Sequence, residues 1–321
     1  MLGLDVSKDS IAATLLDTAQ HLCWERRVPN SPGGIEVLLR ETPVEHPWVL
    51  EPTGRYSTSI ARRAVEAGRR VLLARPREAQ AFLRAVQPRA KTDRLDSRGL
   101  AHYACAVPLP PYPLKSPALE ELDQLLAARQ GLAQSLARLR QQRACLPAAG
   151  PVLTAAISAL QAQARVLDRQ IAAQTRAAQV SGVDTLDRVP GIGPVLATAA
   201  AACLHAKQFA HPDQFVAYIG LDVRVRQSGK RQGQQALSKR GHAQLRRLFY
   251  LAAQANLRTK DPHNPFKLQY ARERAKGLSS TAALNAVARK LARVCWSLMR
   301  HGAEYQPDRV HRQVAPLDKQ P

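Results

Sequence analysis

Residues 2–17 read LGLDVSKDSIAATLLD, and the reading of this stretch decides the fold class of the N-terminal part of the chain. Leu2 to Val6 is a short apolar run with Asp5 near its end, and Ile11 to Leu16 is a second. The polar Ser7 to Ser10 joins them as a hairpin, and a turn at Asp17 to Gln20 closes the second strand. Outward from there, Gly33 to Arg40 has helical spacing through Ile35, Leu38 and Leu39. Trp48 to Leu50 is a third apolar run, ending in Glu51 and the turn-forcing Pro52-Thr53-Gly54. Tyr56 to Ala67 reads as an amphipathic helix closed by Gly68. Arg70 to Ala74 reads as a strand and Arg77 to Val86 as a helix. Strands alternating with helices predict an α/β domain over residues 1–112. The proline-rich PLPPYPLKSP of residues 108–117 marks its boundary.

The next segment, residues 113–180, reads as a helical pair. Leu125, Leu132, Leu139 and Leu146 recur every seven residues, with Leu122 and Leu136 beside them. Pro147 to Pro151 interrupts, and Leu153, Ile157, Leu160, Ala164, Leu167 and Ile171 resume the pattern. This heptad seam predicts a coiled-coil pair, closed within the chain or between subunits; we expect an antiparallel hairpin that also mediates oligomerisation.

Residues 181–302 form a third, mostly α region. LDRVPGIGPVLATAAAACL, residues 186–204, has the form of a helix-hairpin-helix. Its Gly191 and Gly193 let backbone N–H groups at a helix start face a phosphate. The plainer alternative is a connector with glycine in its turn. Ser238 to Ala255 reads as a helix with Leu245, Leu248, Phe249 and Ala252 on one face and Arg246 and Arg247 pointing away. Thr281 to Met299 is a long amphipathic helix closed by Gly302, and its apolar stripe reads as core. Residues 303–321 read as a polar, disordered tail.

At 321 residues the chain has room for two or three domains. Lys plus Arg number 47 against 25 Asp plus Glu, a formal charge of +22, which points to nucleic acid or an anionic surface. No run approaches the roughly 20 apolar residues of a membrane span. Leu2 to Val6 reads as a strand and not as a leader. Cys23, Cys105, Cys145, Cys203 and Cys295 are far apart and fit neither a metal knuckle nor a disulfide framework. A reducing, cytoplasmic, nucleoid-associated setting follows as the expectation.

The most basic stretch is GLDVRVRQSGKRQGQQALSKRGHAQLRR, residues 220–247. It carries Arg224, Arg226, Lys230, Arg231, Lys239, Arg240, Arg246 and Arg247, with Asp222 as its only acid. Unpaired cations are too costly to bury, so the stretch reads as a polyanion-binding loop entering a helix near Ser238. Ser228, ringed by guanidinium groups, is a candidate nucleophile on a phosphodiester, because cations stabilise both the alkoxide and the developing phosphorane charge. The plainer reading is a basic loop that only touches phosphates. Among the acids, Asp5 and Glu51 stand at the ends of apolar strands, and Asp93 and Asp96 share a helix face at a spacing of three. Singly, each reads as a surface ion pair or a cap. Convergence of the four would call for a divalent metal, Mg²⁺ or Mn²⁺, on hard oxygen ligands.

The ordered series LGLDVSK, LEPTGRYS, KTDRLDSRGLA, VPGIGPVLA, AYIGLDVRVRQSG, LSKRGHAQLRRLFY and AVARKLARVCW resembles the DEDD or Piv-type transposases of bacterial insertion sequences, over residues 1–305. The resemblance implies an RNase-H-like (RuvC-like) N-terminal domain with its acidic tetrad on Asp5, Glu51, Asp93 and Asp96, holding Mg²⁺ or Mn²⁺. It implies a C-terminal transposase domain with its catalytic serine on Ser228. Ser238, in LSKRG, is the other candidate serine, in a family motif read as structural or DNA-binding. The implied reaction passes through a phosphoserine link to DNA. The acids come from one subunit and the serine from another, in a dimer or a pair of dimers acting on donor and target DNA. A bridge RNA is the implied guide. Only four residues precede Asp5, fewer than such relatives often have. Two alternatives stay open: a metal-dependent nuclease in which Ser228 is a bystander, and a non-catalytic nucleic-acid-binding descendant.

Overall fold

The opening hairpin forms as expected: β1 (Leu2–Val6) pairs antiparallel with β2 (Ser10–Leu16). The computed structural model describes residues 1–86, 93–224, 227–228, 231–232 and 236–310. The side chains of Arg55, Val86, Asp93, Arg94, Gln227, Ser228, Arg231 and Gln232 lie outside that description. The chain divides into two compact units, residues 1–114 and 115–321.

In the first unit β2 continues antiparallel into β3 (Leu22–Pro29), which the sequence reading did not anticipate. Its LCWERRVP is largely exposed, as befits an edge strand covered on one side only. β4 (Trp48–Leu50) lies parallel to β1, and β5 (Val71–Leu73) parallel to β4. The sheet order is therefore β3-β2-β1-β4-β5. The helices are α1 (Pro32–Glu41), α2 (Arg55–Glu66), α3 (Pro76–Val86) and α4 (Asp93–Ala106).

Period-two alternation sends side chains to two faces of this sheet. Leu2, Leu4, Val6, Trp48 and Leu50 share one buried cluster with Ile35 and Leu38 of α1 and Ile60 and Ala64 of α2. Val49 and Leu72 belong to the other, with Ala79 of α3 and Leu100 and Tyr103 of α4. Helix α4 lies directly on β1, where a Cβ on Gly3 would sit 2.1 Å from the Ser97 carbonyl oxygen. Ser97 also shares a buried 2.8 Å hydrogen bond with Thr14, the cross-strand partner of Gly3.

The second unit begins with α5 (Pro117–Cys145) and α6 (Gly150–Ala177), an antiparallel hairpin. The Arg129 guanidinium meets Asp168 at 2.7 Å, and Gln174 near the end of α6 donates to the Ala118 carbonyl at the start of α5. Its buried seam runs through Leu122, Leu126, Leu136, Ile157, Ala164 and Ile171, while Leu146 at the tip is 53% exposed. The expected heptad of Leu125, Leu132 and Leu139 is only half-buried and flanks that seam. Then follow α7 (Val183–Asp187), α8 (Pro194–Ala206) and α9 (Pro212–Tyr218). Four two-residue strands come next, β6 (Val223–Arg224), β7 (Gln227–Ser228), β8 (Arg231–Gln232) and β9 (Ala236–Leu237). The helices α10 (Ala243–Leu257), α11 (Pro265–Ala275) and α12 (Ser280–His301) complete the unit.

Alanine-rich α8 fits the centre of the core, where its small side chains admit close neighbours. Around it gather Phe215, Phe249, Phe266, Leu291 and Cys295, joined by Leu122, Leu126 and Ile171 from the foot of the hairpin. Burial drives the Cys295 thiol far above its ordinary range. Gly302 closes α12 in the left-handed conformation at φ 59°, as its sequence predicts. The chain stays packed past Tyr305, because Val310 is only 4% exposed and belongs to the same core. Among the described residues no helix is long and apolar enough to cross a membrane.

Candidate active site

Backbone geometry places Asp5 and Glu51 at neighbouring positions on the sheet. The β1–β4 register pairs Leu2 with Trp48, Gly3 with Val49 and Leu4 with Leu50, so Asp5 of β1 and Glu51, the residue just past β4, follow at the next step. By alternation both lie on the face of Gly3 and Val49, the face that α4 covers. Helix α4 runs opposite to β1: Ala104 packs in one cluster with Met1, while Ser97 and Ala101 lie over Gly3. Its first turn, which begins at Asp93 and includes Asp96, therefore extends toward the Asp5 end of the strand. The turn after Glu51 is fixed by the Thr53 N–H, which donates to the Glu51 carbonyl and to the Ser57 hydroxyl, both at 3.0 Å.

Asp5, Glu51 and Asp96 are half-buried, and the side chain of Asp93 lies outside the described residues. Among the described residues, no group of three or more acids, histidines or cysteines is drawn close enough to hold a metal ion. Convergence is thus one of backbone placement. The donor set of carboxylate oxygens at adjacent strand ends is chemically suited to a hard divalent cation.

The basic stretch, expected as a loop, is instead a nested hairpin. Val223 pairs with Leu237 and Arg224 with Ala236, and beyond this neck Gln227 pairs with Gln232 and Ser228 with Arg231. Ser228 is thus paired with Arg231 at the last described position of β7. Side chains of Ser228 and Arg231, and the whole of Arg226 and Lys230, fall outside the described residues. Arg224, Lys239 and Arg240 are exposed around the neck.

The helix expected from Ser238 starts only at Ala243. Lys239 and Gly241 have φ of 52° and 125°, which a helix cannot accommodate, and His242 caps α10 through Nδ1, accepting from the Leu245 N–H. Burial, with Lys115 nearby, holds the His242 imidazole below its ordinary pKa. Arg246 does not simply face outward: its guanidinium turns back to donate to the Ile219 carbonyl at 3.1 Å. Arg247 is half-buried beside it.

Gly191 and Gly193 flank the turn between α7 and α8. Gly191 has φ 80°, and a Cβ there would meet Asn256 Nδ2 at 2.1 Å, so only glycine fits. Gly193 is exposed and caps α8 without a side-chain bond. The first helix of the motif has only five residues. A cavity of about 480 Å³ alongside is lined by Asp168, Asp184 and Asp187 as well as Arg176, so this turn lacks the dense positive charge of the hairpin.

Three groups have partners that the sequence reading did not give them. Asp222 and Ser238 are bonded to one another at the foot of the neck, the Ser238 hydroxyl donating to the carboxylate. Asn256, 1% exposed, donates to the Pro190 carbonyl at 2.8 Å and accepts from Asn264, tying the glycine turn to the start of α11. The Asn264-Pro265 pair, a capping signature, was the available signal. Arg289 and Lys290 of α12 are partly desolvated cations, their pKa values lowered chiefly by burial and then by Arg293.

Two family models match the chain. One, the IS110-type DEDD transposase model described as "Transposase", covers residues 2–151; the other, "Transposase IS116/IS110/IS902 family", covers residues 183–270. A Pseudomonas aeruginosa protein named "Probable family 20 transposase" is 31% identical over 192 residues, 57% of this chain and 56% of that protein. The "Insertion element IS116 uncharacterized 44.8 kDa protein" of Streptomyces clavuligerus is 29% identical over 39% of this chain and 31% of its own. The "Insertion element IS900 uncharacterized 42 kDa protein" of Mycobacterium paratuberculosis is 32% identical over 37% of this chain and 30% of its own. The matched stretches thus span from about a third to about half of these relatives.

Proposed function

We propose that the chain is a transposase of the IS116/IS110/IS902 kind, whose family models it matches over residues 2–151 and 183–270, and that it cuts and rejoins the DNA of an insertion sequence through a phosphoserine intermediate. The observation that carries the reading is the placement of Asp5 and Glu51 one step beyond the paired Leu4 and Leu50 of adjacent parallel strands, with the first turn of α4 extending toward that end. The sheet order, antiparallel through β3-β2-β1 and parallel through β1-β4-β5, supports an RNase-H-like (RuvC-like) domain.

In this mechanism the Ser228 hydroxyl oxygen bonds to the scissile phosphorus as the bond to the 3′ oxygen breaks. The hydroxyl proton ends on the departing 3′-hydroxyl, and the energy of the broken linkage is kept in the serine ester for rejoining. Arg224, Arg226, Lys230 and Arg231 neutralise the phosphate charge as it rises. Lys239, Arg240 and Arg247 grip flanking backbone, and the Gly191–Gly193 turn offers N–H groups to a further phosphate in the manner of a helix-hairpin-helix. Asp5, Glu51, Asp93 and Asp96 would hold Mg²⁺ or Mn²⁺, which when bound polarises phosphate oxygens. The acids and the serine come from separate copies, assembled as a dimer or pair of dimers through the α5–α6 hairpin. The formal charge of +22 suits nucleic-acid partners, among them a bridge RNA that would choose sequence by pairing.

A nicked duplex that cannot religate tests the reading. The wild-type protein is expected to yield an adduct that survives denaturation, and Ser228→Ala none. Cleavage that persists in Ser228→Ala but disappears in Asp5→Asn would instead make the protein a metal-dependent nuclease.

A further inference from the structure

We propose that Asp222 and Ser238 form a clasp that closes the neck of the Ser228 hairpin, making both positioning residues for the attacking hydroxyl; the second half of this statement rests on the phosphoserine reading above. The two residues immediately flank β6 and β9, and they continue the Val223–Leu237 and Arg224–Ala236 ladder by one step. The Ser238 N–H donates to the Asp222 carbonyl at 2.9 Å, and the Ser238 hydroxyl donates to the Asp222 carboxylate. That hydroxyl also accepts from the Arg240 N–H at 3.2 Å, so its donor and one acceptor site are both committed. A hydroxyl held at both its proton and one acceptor site ties the two strands of the neck together.

Such a device is needed here. Strands of two residues bury almost no apolar surface, and an isolated two-stranded hairpin is marginal in water. The structure supplies polar ties instead. Below the clasp, the His242 N–H donates to the Tyr218 carbonyl at 2.9 Å, and Arg246 donates to Ile219. Gly241 and Gly220 admit the crossing backbones: a Cβ on Gly241 would sit 2.0 Å from the Tyr218 oxygen, and one on Gly220 would sit 2.7 Å from the Arg240 oxygen. Lys239 adopts φ 52° between the clasp and that crossing, a conformation a lysine holds only when its surroundings impose it. Asp222 is the only acid of residues 220–247, and its carboxylate is engaged by a hydroxyl at the point where the chain enters the neck.

The test uses the full-length protein and the variants Asp222→Ala, Ser238→Ala, Ser238→Thr and Asp222→Asn. Amide exchange of the free protein is followed in peptides covering residues 221–240. Expected is exchange faster by about tenfold in the neck of both alanine variants, with α10 and α12 unchanged and Ser238→Thr close to wild type. Asp222→Asn, which keeps an acceptor oxygen, serves where the alanine variant fails to fold. On the nicked duplex at saturation, each alanine variant should form adduct about tenfold more slowly while its DNA affinity holds. The double variant should be no slower than either single one, and the adduct should map to the peptide containing Ser228. Unchanged neck exchange, losses that multiply in the double variant, or an adduct on Ser238 would overturn the clasp. Absence of any wild-type adduct would sink the phosphoserine reading instead, and the exchange measurement would still decide the clasp.

Discussion

The two halves of the proposed chemistry are seated in opposite ways. Asp5 and Glu51 stand at the ends of strands whose preceding residues, Leu4 and Leu50, are wholly buried, under a helix packed so closely that Gly3 admits no side chain. Ser228 stands on a two-residue strand whose neck is tied by backbone ladders, a clasp and two close-packed glycines. Packing fixes the first and hydrogen bonds fix the second. The difference teaches that a rigid seat suits groups that must stay at one spacing, whereas a polar neck suits a group that must meet a partner.

The sharpest way to break this contrast is chemical. Asp5→Asn and Glu51→Gln are each expected to lower adduct formation by about 10²–10³-fold with Tm unchanged, measured by single-turnover assay beside calorimetry. Next comes Gly3→Val, which should destabilise the first unit by about 3 kcal/mol in denaturant melts by forcing α4 off β1. A mild effect there would show that α4 is not rigidly seated. Asn256→Ala should cost about 2 kcal/mol, because it leaves the Pro190 carbonyl and the Asn264 amide without their partner. Arg246→Ala should cost about 1 kcal/mol and raise exchange around Ile219 without touching the first unit.

The smallest expected effect is a pH dependence. The folded pKa of His242 lies below its ordinary 6.5, so the unfolded chain binds the proton more readily. Its contribution is complete above pH 6.5 and is lost as pH falls through that value toward the folded pKa. His242→Asn, which keeps a cap, should flatten that slope in urea titrations between pH 5 and 7.5.

Much of this was legible in the order of residues. LGLDV, WVL and the stripe of Thr281 to Met299 declare their elements through apolar period alone. β3 escaped because Glu25, Arg26 and Arg27 make an edge strand resemble a loop, and Glu25 is in fact the partner of Arg98. α11 escaped because FKLQYARERA lacks an apolar stripe, only Pro265 and Phe266 being buried. The acids could be named singly, but their shared face depends on the β1–β4 register, which no local pattern encodes. The neck strands are too short to show a period, so Asp222 and Ser238 could each be named but not paired.

The α5–α6 hairpin has one last consequence. Its 29-residue helix spans about 43 Å at 1.5 Å per residue. Its foot sits in the core, where Gln244 of α10 donates to the Leu126 carbonyl at 3.2 Å. From Leu126 outward it is a lever about 30 Å long, so each degree of rotation at the base sweeps Leu146 through about 0.5 Å.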